Sequence, residues 1–520
     1  MNKEESIMKF KKMWLNINGA NRMFACNPEK DSLADVLRRM GLTGTKVGCN
    51  VGVCGSCSVI LNGKLTRACT KKMRNLDDYS KVITIEGIGQ PNNLHPLQAA
   101  WIVAGAVQCG FCTPGFIVSS YALLLENNNP TREEVREWFH KNKNVCRCTG
   151  YVQIVDAVMM AAAVMRGEKT IEDFSLGHQE DGEYYGKPIT RPTALAKVCG
   201  LADYGDDQEL KMPAETLKVA MVQPKVAHHA RIIRIDTSEA EKMPGVERII
   251  TAKDIKEAGG TNIMAEGHFF ERTTLTVPTR HVLCEDKIFR YGDVVALVCA
   301  DTKDHAREAA AKVKVEIEQL PEYLNYLDAV MPDAQRIHPS TPNIFAQQPV
   351  LKGVGLEEPS KVAELIDNSA YSVEGSFYST REPHLSVEGD SVQAYFDEDG
   401  MLAIQCKSQG VYSSIGRIGS SVGVAKDKIR IIMNPTGASF GWSTNAGDLC
   451  LAAAAAYITK KPIALSMSYE EHQHFSGKRR PCYSNGRASC DKDGKLVAVE
   501  YDYGMDQGAY TFGGDDIISK

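Results

Sequence analysis

The residues of this chain that could carry metal chemistry are its 16 cysteines, because their spacing sets eight of them apart in two groups. The first group follows the pattern C-x4-C-x2-C with a fourth cysteine further on, and consists of Cys49, Cys54, Cys57 and Cys69. Plant-type ferredoxins hold a [2Fe–2S] cluster with this spacing. The loop also contains Gly48, Gly52 and Gly55, as expected where a backbone wraps closely around a cluster. The pattern therefore predicts a [2Fe–2S] site, since zinc sites rarely combine this spacing with a glycine-rich loop.

The second group follows the pattern C-x2-C-x33-C-x-C and consists of Cys109, Cys112, Cys146 and Cys148. Two close pairs that folding brings together form one site of four thiolates. Taken alone, this pattern also fits zinc. Directly after a ferredoxin-like module, a second iron–sulfur cluster is favoured. The other cysteines have no neighbour within six residues and are predicted to be plain thiols: Cys26, Cys199, Cys284, Cys299, Cys406, Cys450, Cys482 and Cys490.

Length and composition limit the class of protein that positions these cysteines. A chain of 520 residues suggests roughly three or four domains, and 43% apolar with 24% charged residues is typical of globular proteins. The net charge of −5 argues against nucleic acid as a partner. No segment reaches roughly 18 uninterrupted apolar residues, and the N-terminus has no signal-peptide pattern, so no membrane partner is expected. We expect a cytoplasmic protein, in which thiols stay reduced and bind metals rather than form disulfides.

Short segments around the cysteines have clear secondary-structure signals. Asn18-Gly19 and Asn62-Gly63 each follow an alternating stretch and predict hairpin turns. A helix is predicted from Ser32 to Met40, and Thr131 to Glu134 has a capping-box pattern that opens another helix. The second cysteine group lies beside helical stretches at 97–107 and 116–125. Further along, strands at 217–222, 232–235, 246–250, 294–298 and 312–317, with a helix at 302–311, predict an α/β domain.

Two motifs carry a resemblance to a known family: QCGFCTPG at 108–115 and CRCTGY at 146–151. They resemble the xanthine oxidase family of molybdenum hydroxylases, in which a β-grasp [2Fe–2S] domain precedes a four-helix [2Fe–2S] domain. The stretches HARI at 229–232, MPGV at 243–246 and EQLP at 318–321 resemble that family's hammerhead domain. The implied fold class is α+β and multidomain. The expected parts are a plant-type [2Fe–2S] ferredoxin domain at 8–84, a helical [2Fe–2S] domain at 85–165, a linker at 166–191, an α/β hammerhead domain at 192–330, and the N-terminal part of a molybdenum cofactor-binding domain at 350–520.

The resemblance also implies which residues lie beside the molybdenum cofactor. Gln108 and Cys148 are expected next to its pterin. Gln409 and the loop that contains Gly437, Phe440 and Gly441 are expected to approach the metal's oxo group and the pterin. Many relatives carry a lysine two residues after this Phe-Gly, where this chain has Ser443. The pair His472 and His474 is interpreted as surface or core polar residues rather than as a metal site.

The order of the parts implies how electrons leave the protein. The linker at 166–191 leaves no room for an FAD domain, and no strand is followed by G-x-G-x-x-G. The chain in this respect resembles the flavin-free aldehyde oxidoreductases of bacteria, which implies a molybdopterin in its cytosine dinucleotide form. Electrons are then expected to pass from molybdenum to the cluster of the second cysteine group, to that of the first, and to an external ferredoxin- or flavodoxin-like acceptor. Relatives are usually homodimers.

The implied activity is oxidation of an aldehyde to a carboxylic acid with water as the oxygen source. The alternatives are a purine or other N-heterocycle hydroxylase of the same family, and an electron-transfer iron–sulfur subunit that needs a partner chain for the molybdenum site. The family's catalytic glutamate is expected outside this chain, either in a continuation or in a second chain that completes the site. Glu388 lies near the molybdenum-region motifs, but the sequence assigns it no role.

Overall fold

The computed structural model describes residues 10–174, 185–186, 189–264, 278–345, 347, 350–353, 355 and 357–510. Part of the predicted linker (175–184 and 187–188) lies outside these residues. Among the helices of the described parts, none is long and apolar enough to cross a membrane.

The first cysteine group belongs to a five-stranded sheet crossed by one helix. Its elements are β1 (Lys11–Ile17), β2 (Ala20–Cys26), α1 (Leu33–Arg39), β3 (Ser58–Leu61), β4 (Lys64–Arg67) and β5 (Ser80–Ile83). The sheet order is β2-β1-β5-β3-β4, with β1 and β5 parallel. Both residues of each Asn-Gly turn have positive φ, which is the backbone of a type I′ hairpin. Ser32 caps α1 with Asp35. The predicted hairpins and helix are confirmed.

The second cysteine group belongs to a bundle of four helices. These are α2 (Pro96–Val103), α3 (Thr113–Glu126), α4 (Arg132–Lys141) and α5 (Tyr151–Met165). The predicted capping box is present, with Thr131 accepting from the Glu134 backbone and Glu134 accepting from that of Thr131. Trp101 and Phe116 are buried in the shared core. Cys112 lies immediately before α3, and Cys148 lies just before α5, so the bundle brings the two close pairs together.

The remaining elements form mixed sheets with helices packed against them. Residues 194–329 contain α6 (Ala194–Val198), α7 (Gly205–Glu209), β6 (Leu217–Val222), β7 (Ala230–Asp236), β8 (Val246–Thr251), α8 (Ala252–Glu257), β9 (Ile263–Met264), β10 (Arg280–His281), β11 (Lys287–Ile288), β12 (Ala296–Ala300), α9 (Lys303–Ala310), β13 (Lys314–Gln319) and α10 (Tyr326–Ala329). Residues 359–505 contain α11 (Pro359–Asp367), β14 (Tyr371–Ser379), β15 (Glu382–Pro383), β16 (Ser391–Phe396), β17 (Leu402–Cys406), α12 (Val411–Val422), β18 (Ile429–Met433), α13 (Gly447–Thr459), β19 (Ile463–Ser466), α14 (Tyr469–Phe475), β20 (Lys478–Arg479), β21 (Cys482–Cys490) and β22 (Leu496–Met505).

One seven-stranded sheet joins the two regions that the sequence predicts as separate domains. Its order is β18-β17-β16-β19-β6-β12-β8, and β19 pairs with β6 in parallel. Helix α13 packs on this sheet, and its alanines from Ala452 to Ala456 are fully buried. Small side chains allow the helix to approach the sheet closely. The hammerhead-like strands therefore share a core with the molybdenum-region strands.

A buried histidine links the hammerhead-like region to residues after β22, and it predicts a pH dependence of stability. The ring of His338 stacks on Phe289 at 4.5 Å, and its Nε2 lies 2.6 Å from the Ala509 carbonyl oxygen. Burial lowers the pKa of His338 to about 4. Because this value lies below the unfolded pKa of about 6.5, the stability contributed by neutral His338 is present above about pH 6.5 and is lost as the pH falls toward 4.

We therefore expect the free energy of unfolding to fall with acidification by about 2 kcal/mol more in the wild type than in a His338→Asn variant between pH 7 and pH 4.5. Chemical denaturation at the two pH values measures this difference. Other titrating groups contribute equally to both proteins and cancel in the comparison. Equal losses in the two proteins would show that His338 is not the group responsible.

Candidate metal centres

The first four cysteines line a loop between α1 and the turn that follows β4. All four are buried, with exposed fractions of 9% or less. Their thiols pair two by two, Cys54 with Cys49 and Cys69 with Cys57. The hydrogen bond from Cys54 lowers the pKa of Cys49 to about 5, and that from Cys69 lowers the pKa of Cys57 to about 7. Within each pair, the hydrogen bond thus favours the thiolate of one cysteine, which is the form that binds metal, and raises the pKa of its partner.

Backbone geometry adapts this loop to a charged sulfur site. The Val51 and Val53 amides donate to the Cys49 sulfur, at 3.5 and 3.3 Å. Gly52 and Gly55 have positive φ, where a side chain would be strained. A Cβ at Gly55 would lie 3.0 Å from the Asn144 Cα atom of the helical bundle. The glycines therefore let the loop turn tightly and let the bundle pack against it.

The second four cysteines also pair. Cys109 pairs with Cys148, and Cys112 with Cys146, which is in contact with Cys148 as well. Hydrogen bonds from Cys112 and Cys148 lower the pKa of Cys146 to about 3. Residues from two distant turns of the chain therefore form one group of thiols at the end of the bundle.

The pairing bears on which metal these groups could hold. Among the described residues, no three His, Cys, Asp or Glu side chains are arranged around a single metal-ion position. A [2Fe–2S] cluster has four cysteine ligands, with two on each iron. Two pairs of thiols fit that ligand set better than the single tetrahedral centre of zinc, which the sequence left open for the second group.

A small cavity of about 10 Å³, the space of about one water molecule, lies between the second cysteine group and the molybdenum-region loop. It is lined by Cys109, Phe111, Cys112, Cys146, Arg147, Cys148, Val387, Gly437 and Ala438. The fold thus brings two predicted site residues, Cys148 and Gly437, to one cavity from positions far apart in the sequence. Gln108 is exposed, and its side-chain amide lies against Gly150, where a Cβ would lie 3.0 Å from the amide nitrogen.

The loop from Gly437 to Gly441 has an unusual backbone. Ala438 and Phe440 have positive φ, of 76° and 53°, which is uncommon for residues other than glycine. The Ser439 hydroxyl donates to the Gln409 Oε1 atom at 2.6 Å, which joins the predicted site residue Gln409 to this loop. The Phe440 ring is 56% exposed. Such strain persists only where surrounding contacts hold it, and it is typical of binding loops.

Arg147 connects this loop to the second cysteine group. Its Nε donates to the His384 carbonyl oxygen at 2.7 Å, and its Nη2 to that of Pro383 at 3.3 Å. The guanidinium lies 5.6 Å from the centre of the Phe440 ring, in cation–π contact. Sequence reasoning missed this role. The available signal was an arginine between two predicted ligands in C-R-C, but its partners are remote in the chain.

Buried carboxylates also hold the Gly437–Gly441 loop and the residue that follows it in place. The Gly437 amide donates to the Glu388 Oε2 atom at 2.6 Å, and the Trp442 Nε1 donates to Asp390 at 2.7 Å. The Lys407 Nζ atom lies 3.0 Å from Asp390 and 3.8 Å from Glu388. Glu388 also accepts from the Gly205 amide at 3.2 Å, and a Cβ at Gly437 would clash with it. Glu388 thus has a structural role that the sequence did not indicate.

The charges of this network are set by burial and by each other. Burial raises the pKa of Glu388, whereas Lys407 lowers it. Burial also opposes ionisation of Asp390, but His472 and Lys407 hold its pKa well below the usual range. The His472 Nδ1 atom lies 3.0 Å from Asp390, and its ring is fully buried. His474 is partly exposed and packs on Tyr291 instead.

Four family models match consecutive segments of the chain. They are the 2Fe-2S iron-sulfur cluster binding domain at 15–79 and the [2Fe-2S] binding domain at 84–159. They continue with the aldehyde oxidase and xanthine dehydrogenase a/b hammerhead domain at 199–321 and the molybdopterin cofactor-binding domain at 337–519. The predicted multidomain fold class and the two kinds of cofactor domain are confirmed.

Two curated relatives are similar over long stretches. The aldehyde oxidoreductase of Megalodesulfovibrio gigas is 46% identical over 509 residues, which are 96% of this chain and 54% of that protein. The nicotinate dehydrogenase small FeS subunit of Eubacterium barkeri is 44% identical over 148 residues, which are 28% of this chain and 92% of that subunit. The chain belongs to the xanthine oxidase family of molybdenum hydroxylases.

Solved structures of the family agree with this fold. The aldehyde oxidoreductase from Desulfovibrio gigas superposes with a TM-score of 0.90 at 45% identity, over 98% of this chain and 55% of that one. The chain thus spans about half the length of these aldehyde oxidoreductases. The domains follow one another in the predicted order, and residues 160–198 separate the second iron–sulfur domain of this chain from its hammerhead domain.

Proposed function

We propose that the protein is a molybdenum-dependent oxidoreductase that oxidises an aldehyde to a carboxylic acid, with water as the oxygen source. The observation that carries this proposal is the cavity shared by the second cysteine group and the Gly437–Gly441 loop. It places a candidate electron-accepting site directly beside a candidate cofactor-binding loop. The 46% identity to an aldehyde oxidoreductase supports the aldehyde as the substrate class.

In this proposal, each cofactor has defined residues of this chain around it. Cys49, Cys54, Cys57 and Cys69 hold one [2Fe–2S] cluster, and Cys109, Cys112, Cys146 and Cys148 hold the other. Gln108 and Cys148 would hold the pterin, in its cytosine dinucleotide form, and Gln409 with the loop residues Gly437, Phe440 and Gly441 would contact the metal's oxo group and the pterin. When bound, the molybdenum cofactor supplies two-electron oxidation and the clusters carry single electrons to an external ferredoxin- or flavodoxin-like acceptor.

The chain's own residues prepare this site rather than perform the bond-making step. Arg147 lies against the Phe440 ring and Glu388 accepts from the Gly437 amide, and these two contacts hold the loop in place. The general base is not assigned to this chain, because the buried Glu388 is occupied by the amides of Gly437 and Gly205. We assign the parts as 8–84, 85–165, 192–330 and 350–520, joined by a linker at 166–191.

An exposed sheet supports a further polypeptide segment as a partner. Strands β14, β21 and β22 form a three-stranded sheet. Its apolar side chains are widely exposed, including Phe377 at 71% and Tyr501 at 68%. Clustered apolar exposure of this kind marks an interaction surface. We propose that a second chain or chain segment covers this sheet and completes the molybdenum site, in an assembly that is a homodimer of the complete unit.

A second candidate is an electron-transfer subunit whose molybdenum-region half depends on a partner chain. The nicotinate dehydrogenase relative favours it, because that 44% identical protein is itself a separate small FeS subunit. An N-heterocycle hydroxylase is the corresponding alternative for the substrate.

Metal content and turnover distinguish these candidates. We expect purified protein, produced with its adjoining reading frames, to contain about four iron atoms and one molybdenum per chain and to reduce a dye with an aldehyde. Elemental analysis and dye reduction are the measurements. Iron at this level without molybdenum would leave the electron-transfer subunit as the function. Turnover of an N-heterocycle but of no aldehyde would replace the proposed substrate class.

A further inference from the structure

The two cysteine groups share one packed apolar core. It contains Cys49 and Cys54 of the first group and Cys109 of the second, with Phe111, Ala202, Tyr204 and Val387 between and around them. Phe111 belongs to the helical bundle, whereas Tyr204 lies just before α7. Nothing in the cysteine spacing indicates that a residue so late in the chain should lie between the two groups.

Tyr204 makes the most specific contacts in this core. It is 1% exposed, and its hydroxyl donates to the Cys109 carbonyl oxygen at 2.8 Å. Its ring meets Phe111 edge to face, with the ring centres 5.2 Å apart. A Cβ at Gly110 would lie 2.8 Å from the hydroxyl, so the backbone approaches it as closely as glycine permits.

The other end of Tyr204 is tied to the first iron–sulfur domain. Its backbone amide donates to Asp207 at 2.8 Å. Asp207 in turn forms ion pairs with Arg38 at 2.7 Å and Lys46 at 2.5 Å, and all three side chains are buried. The Lys46 ammonium also lies 4.9 Å from the centre of the Tyr204 ring. One residue therefore bonds to the second cysteine group through its hydroxyl and to the first domain through Asp207.

We propose that Tyr204 is a positioning residue that holds the two cluster sites in a fixed relation and adjusts how an electron is shared between them. The inference rests on the proposed function only in that both cysteine groups hold clusters. Transfer between the sites moves one electron: the Cys109 site is oxidised, the Cys49 site is reduced, and the phenol keeps its proton. The hydroxyl favours the reduced Cys109 site, because its hydrogen bond draws electron density from the adjacent carbonyl.

The test compares Tyr204→Phe and Tyr204→Leu with the wild-type holoprotein. Each protein is reduced with dithionite to an average of one electron per chain, and the two cluster signals are quantified by electron paramagnetic resonance. In Tyr204→Phe, which keeps the ring, we expect the electron to shift toward the Cys49 site by about fivefold, the effect of one lost neutral hydrogen bond. In Tyr204→Leu, we also expect a change in the magnetic splitting between the fully reduced clusters, because the packing between them is altered.

Tyr121→Phe is the matched control, since Tyr121 contacts His95 in the same bundle, away from the shared core. It should retain the wild-type distribution and splitting. If Tyr204→Phe also retains the wild-type distribution, Tyr204 is a core residue without the proposed role, even if Tyr204→Leu fails to fold. Dithionite reduces the clusters without substrate, so loss of aldehyde turnover does not affect this result. Absence of either signal from the wild type would instead overturn the cluster assignment itself.

Discussion

A Cys109→Ala variant should lose one of its two [2Fe–2S] signals and about half of its iron, while the other signal persists. Cys109 pairs with Cys148, so its removal leaves one iron position with a single thiol. The first group keeps its own two pairs and the amide donors of Val51 and Val53, and these do not depend on Cys109. Paramagnetic resonance of dithionite-reduced protein, together with iron analysis, measures both effects.

The reciprocal variant and a matched control sharpen this prediction. Cys57→Ala should remove the opposite signal and leave the one that Cys109→Ala removes. Cys199 is a buried thiol that lies beside Gln98 and belongs to none of the thiol pairs. The Cys199→Ala variant should therefore retain both signals. If both signals persist in Cys109→Ala, the assigned ligand set is wrong.

A Lys407→Met variant should lower the free energy of unfolding by about 3–5 kcal/mol. Lys407 is 3% exposed and lies between Asp390 and Glu388, which are also buried. A methionine of similar length fills the space but leaves Glu388 without a cation, and Asp390 with only His472 beside it, in a buried site. The cost is large because an unpaired buried charge loses hydration without a compensating partner. Urea denaturation of the two proteins under identical conditions provides the measurement.

Arg430→Met is the control for Lys407→Met. Arg430 also lies between two carboxylates, Asp397 and Asp399, but it is 45% exposed. Solvent screens such a pair, so we expect a much smaller loss than in Lys407→Met. If the two variants lose similar amounts of unfolding free energy, burial does not explain the loss in Lys407→Met. A further readout is the second cluster signal, which should broaden in Lys407→Met because Glu388 and Asp390 no longer hold the Gly437–Trp442 loop.

Local features were predictable because they depend on neighbours in the chain. Asn18-Gly19 and Asn62-Gly63 form turns since only such residues readily adopt two consecutive positive φ values. Ser32 and Thr131 cap helices because each side chain reaches an amide three residues away. The fold class and the cofactor domains followed from cysteine motifs of the same local kind.

Long-range contacts were not predictable in this way. The pairing of β19 with β6 joins strands more than 200 residues apart, so strands of the predicted hammerhead and molybdenum-region parts lie in one sheet. Glu388 looked like an ordinary acidic residue, because the sequence does not indicate which amides a buried carboxylate will meet. Arg147 was visible within C-R-C, but its partners at Pro383, His384 and Phe440 come from the far half of the chain.

The sequence by itself determined the family, the order of its domains and the cysteines that could hold two clusters. Thiolate spacing and glycine content are local consequences of wrapping a chain around a charged cluster. Only the tertiary structure decided that the thiols pair, that Tyr204 lies between the two groups, and that Glu388 and Arg147 both contact one loop. These depend on which buried charges and hydrogen-bonding groups meet after folding, when desolvation makes each unsatisfied partner costly.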